Sequence, residues 1–195
     1  MIEKFLKAKH WQVFIITFGL PFFIQIMLMP IIILTNNPMI LLRIFPITMI
    51  LFIGGFFGWF WSIAIGLQQV IPKQIQLNVN SFKVFLLIPL VYFILFLAFF
   101  ITSFNSGIVN SGMLALIVPL HFFSIFSILY CIYFAAKTFK TAELQRNVTF
   151  SDFAGEFFLI WFFPIGIWII QPKINLMIEN KDTNHNYSVG LDAGC

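Results

Sequence analysis

His121 is the one ionisable side chain in the middle of an apolar run, the stretch Met113 to Ala136. An imidazole at that depth can hold a proton or serve as a hydrogen-bond centre. An α-helix turns about 100° per residue, which puts Ser124 near 300°, Ser127 near 240° and Cys131 near 280° from His121. These side chains share one face, and in lipid such a face turns toward other helices. Two more polar side chains fall at comparable depth. Arg43 lies just inside the outer end of the second apolar run, and His121 about 12 Å below the outer end of the fourth. Gln25 lies about 21 Å up from the inner end of the first, hence in the outer half of a core about 30 Å thick. Gln25, Arg43, His121 and Ser124 therefore form a candidate polar pocket opening outward. The structural alternative is a snorkelling arginine and a neutral histidine bonded to a serine or a carbonyl.

Glu156 is the other candidate, a proton-coupling carboxylate at the start of the last apolar run. The plainer reading is an acid in the first turn of a helix, stabilised by the helix dipole. Nothing else points to catalysis. The motifs H-E-x-x-H, G-x-S-x-G and the P-loop are absent from the sequence, and the serines near His121 resemble no activated nucleophile pair. The two cysteines, Cys131 and Cys195, share no motif and suggest neither a disulfide framework nor a metal site. No catalytic residue, metal ligand or cofactor is assigned.

The elements that must position these residues are set by composition. The 195 residues are 61% hydrophobic and 9% charged, where a soluble domain carries about 25% charged residues. Mean hydropathy is +0.99. The expectation is an all-α integral membrane helical bundle of four spanning helices plus a short C-terminal fifth membrane segment, re-entrant or a fifth span. The segments run at about 11–34, 39–66, 84–104, 113–136 and 153–171, in one membrane domain over 1–172 with a polar C-terminal tail over 173–195. The first is too long for a cleaved signal peptide and offers no A-x-A site. The second carries Gly54, Gly55, Gly58, Ser62 and Gly66 on one face, a small-residue row that lets helix backbones approach closely. Trp11, Trp59 and Trp61 read as interfacial belt residues, and TAELQR, residues 141–146, as a short amphipathic surface helix. The last run, Phe157 to Ile170, is short for a span and carries Pro164 and Gly166 at its centre.

Charge sets the topology. Apart from Arg43, every Lys and Arg before residue 150 lies at the N-terminus, in the second loop or in the fourth. By the positive-inside rule these are cytoplasmic, the N-terminus included. A re-entrant last segment keeps Lys173 and Lys181 on that same side; a full crossing exports them. The net charge of +4 meets lipid headgroups rather than nucleic acid, for which no basic run or aromatic platform is present.

The stretches SDFAGEFFLIWFFPIGIWIIQPKIN and HWQVFIITFGLPFF resemble segments of small uncharacterised bacterial multi-pass membrane proteins. The resemblance covers these two stretches only, implies a bacterial inner-membrane location, and brings no activity or site residue with it. Three readings remain. The first is a non-enzymatic accessory or assembly subunit that packs with itself or with another membrane protein. The second is a small transporter or permease component using the outward polar layer, and the third an intramembrane enzyme. The lipid bilayer is the one partner common to all three.

Overall fold

The structure, a computed structural model, describes residues 2–37, 39–108 and 111–192, with side chains as far as 183. Every regular element among them is helical. Four helices are long and apolar enough to cross a membrane: His10–Thr35, Met39–Gln69, Asn80–Ser106 and Ser111–Leu144. Ahead of the first lies α1, Ile2–Lys7. The first long helix is α2, His10–Phe14, joined to α3, Leu20–Thr35, through a π-helical turn at Ile15–Gly19. That widened turn precedes Pro21, whose missing N–H and ring disturb a regular ladder. The second is α4, Met39–Trp61, continued by a π-helical turn at Ser62–Gly66 and a 3-10 turn at Leu67–Gln69. Then come α5, Asn80–Ser106, and α6, Ser111–Leu144. Two final helices follow, α7, Phe150–Trp161, and α8, Phe163–Asp192.

The chain divides into two compact units, Met1–Leu77 with Ala135–Cys195, and Asn78–Phe134. In the first, α3 and α4 form an antiparallel hairpin closed at Asn36, whose left-handed φ of 47° ends α3. Asparagine tolerates that conformation better than most side chains. Cross-contacts follow the antiparallel register: Gln25 meets Thr48, and Thr17 abuts Gly55. The apolar core lies at the open end of this hairpin, away from Asn36. It comprises Leu6, Phe60, Ile63, Leu67, Phe139, Phe153, Ile160, Ile167, Ile170 and Ile174, all essentially inaccessible. Toward Asn36 the same helices expose Phe22, Phe23, Met27, Ile33, Leu34 and Ile47, the distribution expected of helices solvated by acyl chains.

Helices α7 and α8 pack on one another. Phe162 breaks the helical path with φ −81° and ψ 54°, and the N–H groups of Ile165 and Gly166 both return to its carbonyl. A Cβ on Gly166 would stand 2.0 Å from the Leu159 carbonyl oxygen. In a straight helix these residues would be about 10 Å apart, so the chain reverses here. The apolar run 157–170, read from the sequence as one segment, is thus shared between two helices.

In the second unit α5 and α6 pair antiparallel along a ladder of rings. Phe82 meets Phe134 at 5.2 Å, Phe85 meets Tyr130 at 4.4 Å, and Tyr92 meets His121 at 5.3 Å. Gly107, with φ 68°, caps α5 and donates its N–H to the Ser103 carbonyl, the glycine role at a helix C-terminus.

Three local expectations differ from the structure. TAELQR is no separate surface helix: α6 runs unbroken to Leu144 and buries Thr141 and Ala142, because AKTFKTAEL contains neither Gly nor Pro to stop the helix. Trp59 is not a belt residue but a core one, 1% exposed. Glu156 does not sit in a first helical turn, since α7 begins at Phe150 and its first-turn acid is Asp152.

Candidate functional site

The polar chemistry of the first unit concentrates around its packed core. Helix α1 stops at Lys7 and the chain restarts at His10, so the last carbonyls of α1 lack helical donors. Two amides one turn apart on α8 supply them. Gln171 Nε2 donates to the carbonyls of Phe5 at 2.8 Å and Ala8 at 3.0 Å. Asn175 Nδ2 donates to those of Leu6 at 2.8 Å and Ala8 at 3.1 Å. The other end of the Gln171 amide accepts a 2.8 Å bond from Trp59 Nε1. Gln171 is fully buried, and a buried amide persists only when both its ends are satisfied. This network ties residues 5–8 to α4 and α8. His10 and Phe14 of the first long helix add ring contacts to Trp168, at 4.6 and 5.8 Å.

A second cluster is ionic. Lys140 Nζ lies 2.8 Å from both Glu143 and Glu156, and Lys173 Nζ lies 2.8 Å from the other Glu143 oxygen. Lys140 and Glu156 are the least accessible members, with side chains 18% and 12% exposed. Two cations and two carboxylates balance, as partial burial demands. The cluster also places the two arms of α7–α8: Glu156 on the entering arm and Lys173 on the returning arm both reach the end of α6. Glu156, the candidate proton-coupling residue, therefore sits in a closed set of ion pairs.

Beside it, Asp152 accepts from Arg146 at 2.8 Å and from the backbone N–H and hydroxyl of Thr149 at 2.8 and 3.0 Å. The Arg146 guanidinium first, then the two Thr149 donors, hold its carboxyl down to about 2.

The small-residue row of α4 meets the N-terminal elements. A Cβ on Gly55 would stand 2.9 Å from the Thr17 methyl, one on Gly58 3.0 Å from the Phe5 ring, and one on Gly66 2.7 Å from Ile2 and Leu6. Ser62 is buried and donates to the Gly58 carbonyl at 2.8 Å. Gly54 stands apart, with open space around it.

Of the four residues expected to form a pocket, Gln25 and Arg43 belong to the first unit, His121 and Ser124 to the second. Gln25 Nε2 donates to Thr48 Oγ1 at 2.7 Å, and Thr48 passes its hydroxyl on to the Phe45 carbonyl at 2.9 Å. Arg43 is exposed on α4. His121 Nδ1 lies 2.7 Å from the Tyr92 hydroxyl. Ser124 is buried, and its hydroxyl has no hydrogen-bond partner among the described residues. Cys131 is buried, and Cys195 lies outside the described residues. Among the described residues no group of three or more His, Cys, Asp and Glu side chains is placed to hold a metal ion.

Sequence reasoning missed the Gln171–Trp59 network and the cluster around Lys140. The first left no local signal, its partners being 112 residues apart. The α7 start was legible, because Thr149-Phe150-Ser151-Asp152 is a helix-start pattern of the S/T-x-x-D/E kind. No protein-family model, no curated protein and no solved structure matches this chain.

Proposed function

We propose that the chain is a non-enzymatic accessory or assembly subunit of a bacterial inner membrane, packing there with another membrane protein or with a second copy of itself. The observation that carries this reading is how the polar side chains of the long helices are used. Gln25 bonds to Thr48 on the other arm of its own hairpin, and His121 to Tyr92 on the other arm of its own. Polar groups spent on closing hairpins act as interhelical glue, whereas a transport pathway needs them turned to a passage. The apolar surface points the same way. Between 11% and 28% of each candidate span window is buried, leaving long helical faces for lipid or for a partner helix.

The same proposal includes the fifth membrane segment and the topology. The α7–α8 pair enters the membrane and returns on the side it came from. Its tip residues Phe158, Trp161, Phe162 and Ile165 are exposed and apolar, and the ion pairs of Glu156 and Lys173 hold both arms at the α6 end. A 12-residue helix rises about 18 Å, short of a core of about 30 Å. Every Lys and Arg of the first unit except Arg43 then lies on one side, cytoplasmic by the positive-inside rule, and the N-terminus with them.

Purification from native membranes in mild detergent, after crosslinking in cells, tests the role. The expected result is one stoichiometric membrane partner or a homodimer. A lone monomer that carries solute flux in proteoliposomes contradicts the reading and favours a permease component.

A further inference from the structure

We propose that the groove between the arms of the α3–α4 hairpin, around Gln25, binds the hydroxylated aromatic ring of a lipid-soluble molecule of the hydroquinone class. A cavity of about 350 Å³ opens there, lined by Phe18, Phe22, Phe45 and Phe52 about the Gln25 amide. All of these residues belong to one compact unit. Gln25 lies ten residues before Thr35, the end of α3, or about 15 Å along the helix. That is half-way through a hydrocarbon core of about 30 Å, where a ligand arrives dissolved in the membrane. Small-molecule sites of roughly 300–1,000 Å³ pair apolar and aromatic walls with a few placed polar groups, and this groove is built that way.

The hydrogen bonds say what the occupant must carry. Thr48 donates its hydroxyl proton to the Phe45 carbonyl at 2.9 Å, so toward Gln25 its oxygen can only accept. The amide therefore meets it with Nε2, at 2.7 Å, and this fixes which end of the planar group is left over. Gln25 Oε1 accepts no hydrogen bond among the described residues. Pro46 has no N–H, so Leu42, which also lines the groove, lacks the helical donor to its carbonyl. Both groups are acceptors, and an amide oxygen left unpaired in hydrocarbon is costly. An acyl chain can fill the groove but supplies no donor. A phenolic hydroxyl supplies one, and its ring has Phe18 and Phe22, stacked at 5.7 Å, to pack against. The same requirement separates the reduced ring from the oxidised quinone, whose oxygens are carbonyls and cannot donate.

This inference rests on the membrane reading above, and its test separates the two. Full-length protein in phospholipid nanodiscs is titrated anaerobically with decyl-naphthohydroquinone or with its dimethyl ether, against empty nanodiscs. The ether keeps the ring, the tail and both oxygens and lacks only the donors. The hydroquinone is expected to bind about fivefold tighter, the worth of one net hydrogen bond. Gln25→Leu should bring the two probes to equal affinity; Thr48 keeps its bond to Phe45, so no buried group is stranded. Met49→Trp, which keeps the Gln25–Thr48 bond and fills the groove, should lose both probes. Thr102→Val, a hydroxyl removed from α5 outside the groove, should keep the preference. Equal affinity for the two probes in the parent protein, as for a groove that takes acyl chains, overturns the site. So does no binding above empty nanodiscs, as for a groove covered by a partner helix, or a preference that survives Gln25→Leu or Met49→Trp. In each of these cases the protein still sits in a bilayer, and the accessory-subunit reading is left standing.

Discussion

Gly166→Ala is the substitution that the α7–α8 reversal tolerates least. An added Cβ stands 2.0 Å from the Leu159 carbonyl oxygen and 2.7 Å from its carbon. Both are backbone atoms, so no side chain can swing away; the two helices must separate by about 1 Å or more to restore an ordinary contact, and overpacking of this kind costs about 1–3 kcal/mol. Because the opposing atoms are backbone, the upper end of that range applies; alanine returns about 1 kcal/mol through its higher helix propensity, which leaves a net loss of about 2 kcal/mol. For a chain of this size that is a fall of about 4–8 °C in midpoint, measured as thermal aggregation in detergent. Gly155→Ala is the matched control. It lies in α7, where a Cβ meets nothing within 4 Å, so only the propensity gain remains and the midpoint should rise by about 2–4 °C. A Gly166→Ala protein that melts at or above the parent temperature refutes the close approach of α7 and α8.

Trp59→Phe removes the donor to Gln171 and leaves a buried amide oxygen unsatisfied, so it should cost about 1–3 kcal/mol in a thermal or denaturant titration; no change would mean that Gln171 finds another donor. Lys140→Met should destabilise more than Glu156→Gln, because it strands the partly buried Glu156 carboxylate and leaves Glu143 with Lys173 alone, while the other leaves Lys140 paired with Glu143. A double-mutant cycle across Lys140 and Glu156 reads their coupling, and a zero value contradicts the ionic anchoring of α7. The start of α7 should weaken in acid. The Asp152 carboxyl is held at about 2, below the ordinary 3.8, so its contribution is complete above pH 4 and fades as the pH falls toward 2. Asp152→Asn should flatten that limb of the pH–stability curve.

How far the sequence could be read depends on the range of the forces involved. Four long apolar helices were legible because each announces itself within a window of about 20 residues. The turn at Asn36 was legible too, since an Asn-Asn-Pro stretch marks a turn locally. The row from Gly55 to Gly66 was visible as a face, yet nothing in it told that its neighbours would be Thr17, Phe5 and Leu6 rather than another span. His121 was singled out as a lone ionisable group, but Tyr92 was not, because a tyrosine in an apolar run looks like any other aromatic until the α5–α6 register is known. Gln171 was invisible for a similar reason. Its position after a tryptophan-rich run reads as the end of a membrane segment, and its meaning comes from carbonyls about 165 residues earlier in the chain. The start of Glu156's helix was placed at about 153 where it begins at Phe150, and the Thr149–Asp152 pattern that sets it was present all along.

The central claim is that the last apolar run dips into the membrane and returns, so that N-terminus and C-terminus share the cytoplasmic side. The chain carries its own reporter, because Cys195 follows α8 while Cys131 is buried within α6. In intact cells a membrane-impermeant maleimide should leave Cys195 unlabelled, and permeabilisation should make it react. Labelling before permeabilisation contradicts the re-entrant hairpin and makes the last run a fifth span with its end outside.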